Sequence, residues 1–127
     1  MAYKEEKIEQ FNRALKSLEA LIHEKKTSII RDASIQRFEY SVETFWKTLK
    51  IYLREYKGID APTPKDAVRK ARGADILSEE DAVLALTMID DRNETSHLYN
   101  EKLADALYIK LPRYAEFMRA IHARLVA

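Results

Sequence analysis

The sequence has no cysteine, which excludes disulfides, thiolate catalysis and cysteine-ligated metals. It has only two glycines and three prolines in 127 residues, so punctuation is sparse and long helices are expected. Net charge is nearly absent. The 22 basic and 21 acidic residues leave +1, which argues against coating nucleic acid or membrane through bulk charge; an anion would have to be gripped locally. No apolar run approaches the roughly 18 residues of a membrane span. The opening Met-Ala-Tyr-Lys-Glu-Glu-Lys is charged, so no secretory signal is expected. These absences point to a soluble cytoplasmic protein with no membrane partner. The length suits one domain, 1–127, with a modest core.

What is present is helical periodicity. Ile8, Phe11, Leu15, Leu18 and Ile22 step by three or four and predict a first helix from about Lys4 to about Lys26. Thr27-Ser28 breaks it. The second helix is the clearest: Ile35, Phe38, Val42, Phe45, Leu49, Tyr52 and Tyr56 alternate steps of three and four, with Trp46 and Leu53 widening the stripe. That is the spacing by which adjacent turns interdigitate with a nearly antiparallel neighbour. Gly58 supplies a left-handed stop.

Thr63-Pro64 caps and starts a short helix ending near Gly73. Ser78 opens the next, with Glu79, Glu80 and Asp81 favourably placed against its dipole. The run Ala82 to Ile89 is apolar nearly all round, so this helix must be central or covered a second time by a partner subunit. The last helix, from about Asn100 to Val126, carries Leu103, Leu107, Leu111, Tyr114, Met118, Ile121 and Leu125. Pro112 should kink it near Tyr108 to Leu111. The expected fold is all-α: an antiparallel up-and-down bundle of four to five helices.

Chemically capable residues crowd into Asp91-Arg92-Asn93-Glu94-Thr95-Ser96-His97-Leu98-Tyr99-Asn100. On an unbroken helix Arg92 and His97 would face directions ~140° apart, so a joint site needs a break between them. Asn93, Thr95, Ser96 and Asn100 are poor helix-interior residues and good caps. Thr95 or Ser96 could cap a helix starting at His97, or Asn100 one starting at Glu101. With the two side chains converged, an arginine fork can hold a phosphate and stabilise developing charge. A histidine can move a proton at neutral pH. RNA carries its own nucleophile, the 2′-hydroxyl, so this pair could cleave it without a metal. The plain alternative is a helix end whose polar residues satisfy free carbonyls.

Arg92, His97 and Tyr99 form R-x4-H-x-Y, which resembles the motif of HEPN domains. The segment Gln36 to Lys50, QRFEYSVETFWKTLK, resembles the second-helix signature of the subfamily called nucleotidyltransferase substrate-binding proteins. Asp91 to Tyr99 is similar to the end of its fourth helix, and the likeness spans essentially the whole chain. The resemblance implies an HEPN-like homodimer with the motif lining a cleft at the interface. It also implies a separately encoded minimal nucleotidyltransferase as partner. In toxin–antitoxin members the helical protein is a metal-independent ribonuclease, silenced when the partner adenylylates the motif tyrosine. Carried over, Arg92 and His97 are catalytic, Asn93 is auxiliary and Tyr99 is the modified residue. RNA or a nucleotide would be the ligand, and no cofactor or metal is called for.

Two other readings stand beside this one. A non-catalytic subunit could present substrate to the nucleotidyltransferase, or the chain could be a dimeric scaffold without a site. The chain is not itself that enzyme, since it has no Gly-Ser pair and no strand pattern to carry paired aspartates, and Asp90 and Asp91 are adjacent. His23 and His122 lack partners at metal-ligand spacing and are expected at the surface. Tyr40, Tyr52, Tyr56, Tyr108 and Tyr114 are expected in the core or an interface. Trp46 is read as packing, and the basic helix with Lys65, Arg69, Lys70 and Arg72 as a solvated face.

Overall fold

The structure is a computed structural model that describes residues 2–127. Its helices are α1 (Ala2–Ile22), α2 (Ser28–Lys57), α3 (Pro64–Gly73), α4 (Glu79–Asn93) and α5 (Glu101–Val126), with a 3-10 turn at Glu94–His97. Among the described residues there is no strand. Among them, too, no helix is long and apolar enough to cross a membrane.

Local chemistry sets the boundaries. Thr27 caps α2 by accepting from the Ile30 N–H at 3.0 Å, and Thr63 caps α3 from Asp66 N–H at 3.1 Å. Ser78 and Asp81 form a reciprocal capping box at the start of α4, both bonds 3.0 Å. Gly58 ends α2 at φ 65°, the left-handed conformation that favours glycine. α1 stops at Ile22 instead of continuing to Lys26. Its apolar stripe ends there, and Lys26 instead reaches Asp105 at 3.0 Å. α5 stays helical through Pro112.

Packing follows the stripes. Phe11, Leu15 and Leu18 of α1, Ile35 to Leu53 of α2, and Leu111, Met118 and Ile121 of α5 meet in one core. The rings of Phe11 and Phe117 each lie 5.9 Å from Phe45. α1 runs antiparallel to α2 and α5, as shown by the pairings Thr48 with Lys7 and Phe11 with His122. α2 and α5 run in the same direction: Arg31 meets Glu101 and Asp105 at one end, and Phe45 meets Phe117 further along. α4 is antiparallel to α5, with Asp91 against Tyr114 and Asp81 against Arg124. Ser34, Ser41 and Thr48 are buried on α2 and bond back to carbonyls four residues earlier.

Not every stripe position is buried. Leu103 and Tyr56 are exposed. Leu103 sits on the first turn of α5, on the side facing Asp91, Glu94 and Leu98 rather than the side where Arg31 of α2 meets Glu101 and Asp105. Tyr56, at the far end of α2, accepts a hydrogen bond from Lys4. His122 also departs from expectation. It is half-buried edge-on to Phe11 at 5.6 Å, and burial lowers its pKa from the ordinary value. The basic face of α3 is largely tied down, with Lys65 2.7 Å from Asp90 and Lys70 donating to the Asp60 carbonyl.

Candidate functional site

The decapeptide is where the fourth helix breaks. α4 ends at Asn93, the chain tightens into the 3-10 turn, and Asn100 starts α5. Asn100 Oδ1 accepts from the N–H groups of Lys102 at 3.0 Å and Leu103 at 3.3 Å. Of the caps considered from sequence, Asn100 is therefore the one used. Asn100→Ala is expected to cost about 1 kcal/mol in chemical denaturation, with Asn100→Asp close to the parent. An unchanged midpoint in the alanine variant would show that the cap does not hold the turn.

Thr95 pins the middle of the break. Only 7% exposed, its hydroxyl lies 2.9 Å from Glu39 Oε2 and 2.7 Å from the Arg92 carbonyl, sharing one proton between them. Behind it, Asp91 accepts from Tyr114 and lies 3.3 Å from Lys110, which fastens the end of α4 to α5. Burial first, then the Asp91 carboxylate, pushes the Tyr114 hydroxyl pKa upward, so it remains a donor. On the other flank Arg31, 4% exposed, donates to Glu101 at 2.5 Å, Asp32 at 2.9 Å and Asp105 at 3.1 Å. These carboxylates, Glu101 foremost, raise its pKa further above the ordinary arginine value. The turn is thus clamped by α2 and α5 on both sides.

Besides Glu94 and Ser96, the residues left free on and beside this clamped turn are the ones singled out from sequence. Arg92 is half-buried at the end of α4, and Asn93, His97 and Tyr99 are exposed. The His97 and Tyr99 rings stand edge to face, 6.2 Å apart. Arg92 lies toward α2, where its charge acts on Glu43. Burial pushes Glu43 up, but Lys47, the Trp46 N–H and Arg92 outweigh it and hold the carboxyl below its usual range. Among the described residues no hydrogen bond or ion pair engages the side chains of Arg92, Asn93, His97 or Tyr99. The structure brings His97 beside Tyr99 and turns Arg92 toward Glu43 of α2, with no bond linking Arg92 to His97. Among the described residues there is also no group of three or more acidic or histidine side chains arranged to hold a metal ion.

Glu39 and Glu43 were not singled out from sequence. They lie one turn apart on α2, flanking the buried Val42. The one available signal was their place inside the second-helix signature.

Residues 6–127 match the family described as nucleotidyltransferase substrate binding protein like. The chain belongs to this family. It is similar to a Thermus thermophilus protein of known crystal structure, with 46% sequence identity and a TM-score of 0.87 over 91% of this chain and 98% of that one. It also shares its fold with a chain from a mutant of the toxin–antitoxin MntA-HpeT. There identity is 11% and the TM-score 0.83, covering 98% of each chain. No curated protein sequence matches it. For a family member, the clamped turn is the place where polar side chains without protein partners are concentrated beside an apolar surface. Tyr99 is 85% exposed and Leu103 45%.

Proposed function

We propose that this protein is the HEPN half of a two-component system and is a metal-independent endoribonuclease. Arg92 and His97 are catalytic in this reading, Asn93 is auxiliary, and a separately encoded minimal nucleotidyltransferase silences the protein by adenylylating Tyr99. The observation that carries the reading is the broken, clamped helix end. It presents a guanidinium, an amide, an imidazole and a phenol, none of them engaged by described side chains or backbone. Polar residues that merely finish a helix would bond its last carbonyls.

In the reaction, His97 removes the proton of an RNA 2′-hydroxyl, whose oxygen attacks the adjacent phosphorus. The bond to the 5′-oxygen breaks and that oxygen takes up a proton. The products are a 2′,3′-cyclic phosphate and a 5′-hydroxyl. The Arg92 fork stabilises the charge gathering on the phosphoryl oxygens. In the silencing step the Tyr99 oxygen attacks the α-phosphorus of ATP in the partner enzyme, loses its proton and displaces pyrophosphate. The result is a bulky anion beside His97. Exposure of Tyr99 makes its hydroxyl reachable.

A homodimer is read from the other half of α4. α4 is apolar nearly all round, yet Val83 is exposed on it. An open groove of about 610 Å³ between α4 and α5, lined by Glu79, Glu80, Val83, Leu84, Thr87 and Arg113, supports coverage by a second copy.

The test is mass spectrometry of the protein co-expressed with the nucleotidyltransferase encoded beside it. An adenylate-sized increment on the Tyr99 peptide, absent in Tyr99→Phe, is the expected result. An unmodified protein in an active co-expression would overturn the silencing step. The family description favours a second reading, a non-catalytic subunit that presents substrate to the nucleotidyltransferase. That reading requires intact RNA with the purified protein.

A further inference from the structure

Beyond the motif, α1 and α2 enclose an open groove of about 340 Å³ whose lining includes Tyr3, Lys7, Trp46, Lys47, Lys50 and Arg54. Four of its lining residues are cationic and none is acidic. In a chain of net charge +1, such one-sided grouping makes a local positive site that bulk charge does not. Lys47 is partly neutralised by Glu43 at 3.0 Å, and Lys7 lies over the Tyr3 ring at 5.4 Å. Among the described residues Lys50 and Arg54 have no ion-pair partner. The three cations of α2 rise about 10 Å along the helix, a row suited to an extended anion rather than to a single point charge.

The aromatic wall is preset. Trp46 packs on the core and donates its indole N–H to Glu43 Oε2 at 3.2 Å, which fixes its ring. The same Glu43 carboxylate feels the charge of Arg92. Glu39, which holds Thr95 of the turn at 2.9 Å, lies seven residues before Trp46 on the same helix, so the groove begins about 10 Å along α2 from the clamped turn and leads away from it.

We propose that this groove binds a single-stranded RNA segment leading to or from the motif. One base lies against Trp46, and the following phosphates lie along Lys50 and Arg54. A stacking ring plus a row of cations is the chemistry that holds a single strand regardless of sequence. The choice of RNA as ligand rests on the ribonuclease reading; the groove itself does not.

Trp46 is the one tryptophan in the sequence, so its emission reports on the groove directly. His97→Ala protein, titrated with an oligouridylate of about ten nucleotides, should show a saturable change in that emission. The double variant Lys50→Glu/Arg54→Glu should weaken binding by about tenfold or more and lower the salt slope by about 1.4, two contacts at about 0.7 each. Lys16→Glu/Lys25→Glu makes the same charge change on exposed residues elsewhere and should bind like the parent.

No change in Trp46 emission, or equal weakening by both double variants, overturns the proposal. So does uridine triphosphate binding as tightly as the oligomer, which would make this a mononucleotide pocket. Binding of polyglutamate in place of RNA would make it a protein-docking face and would also overturn it. Cleavage by the wild type with no RNA in the groove removes the groove alone. RNA binding in the groove without wild-type cleavage removes the ribonuclease reading alone.

Discussion

His97→Ala should lower the rate of RNA cleavage by the purified protein by about 10²–10⁴-fold, the range supplied by a positioned general base. The fold should be untouched. The imidazole is exposed at the end of the 3-10 turn, its nearest ring is Tyr99 at 6.2 Å, and no described hydrogen bond depends on it. The denaturation midpoint of the variant should therefore match the parent while activity is lost, which separates chemistry from unfolding. Arg92→Lys should also be impaired. A lysine keeps the charge but not the planar fork that grips two phosphoryl oxygens. Equal cleavage by parent and His97→Ala would remove the imidazole from the mechanism.

Phe45→Ala should cost about 3–5 kcal/mol of folding stability, read from urea or guanidinium unfolding. Phe45 is fully buried at the middle of α2, and its ring is the contact through which α1 and α5 both pack, with Phe11 on one side and Phe117 on the other. Deleting it removes buried apolar surface and leaves a hole that two flanking rings cannot fill without shifting α1 or α5. For a domain whose total stability is about 5–15 kcal/mol, that is a large share. A loss below about 1 kcal/mol would mean that the three helices do not meet at this residue.

The long helices were legible because their stripes are local. From Ile35 to Leu49 every apolar position of the α2 stripe follows from spacing alone, and each is buried. The caps at Thr63 and Ser78 and the stop at Gly58 were legible for the same reason: each acts within about a turn of itself. The helix break in the motif was legible as a requirement, but the choice among Thr95, Ser96 and Asn100 was not. That choice depends on Glu39, which is 56 residues away and draws Thr95 inward as a pin instead of a cap. Arg31 was invisible for a related reason. Nothing near it in sequence marks it as buried, since its burial comes from the approach of Glu101 and Asp105 across the bundle. Leu103 and Tyr56 kept the helical period yet are exposed: Tyr56 lies at the far end of α2, and Leu103 faces a surface groove beside Glu94 and Leu98. Of the candidate site, the helix break that carries Arg92, Asn93, His97 and Tyr99 could be read in advance. The acid of α2 toward which Arg92 turns, and the basic groove along Lys50 and Arg54, required the helices to be assembled.

The measurement that bears most directly on the clamped turn as a ribonuclease site uses two strands of one sequence in excess EDTA. One is ordinary RNA and the other is methylated at every 2′-oxygen. The unmodified protein should cleave only the first, leaving 2′,3′-cyclic phosphate and 5′-hydroxyl ends. Cutting of both strands, or of neither, would contradict a mechanism in which the substrate supplies its own nucleophile to His97 and Arg92.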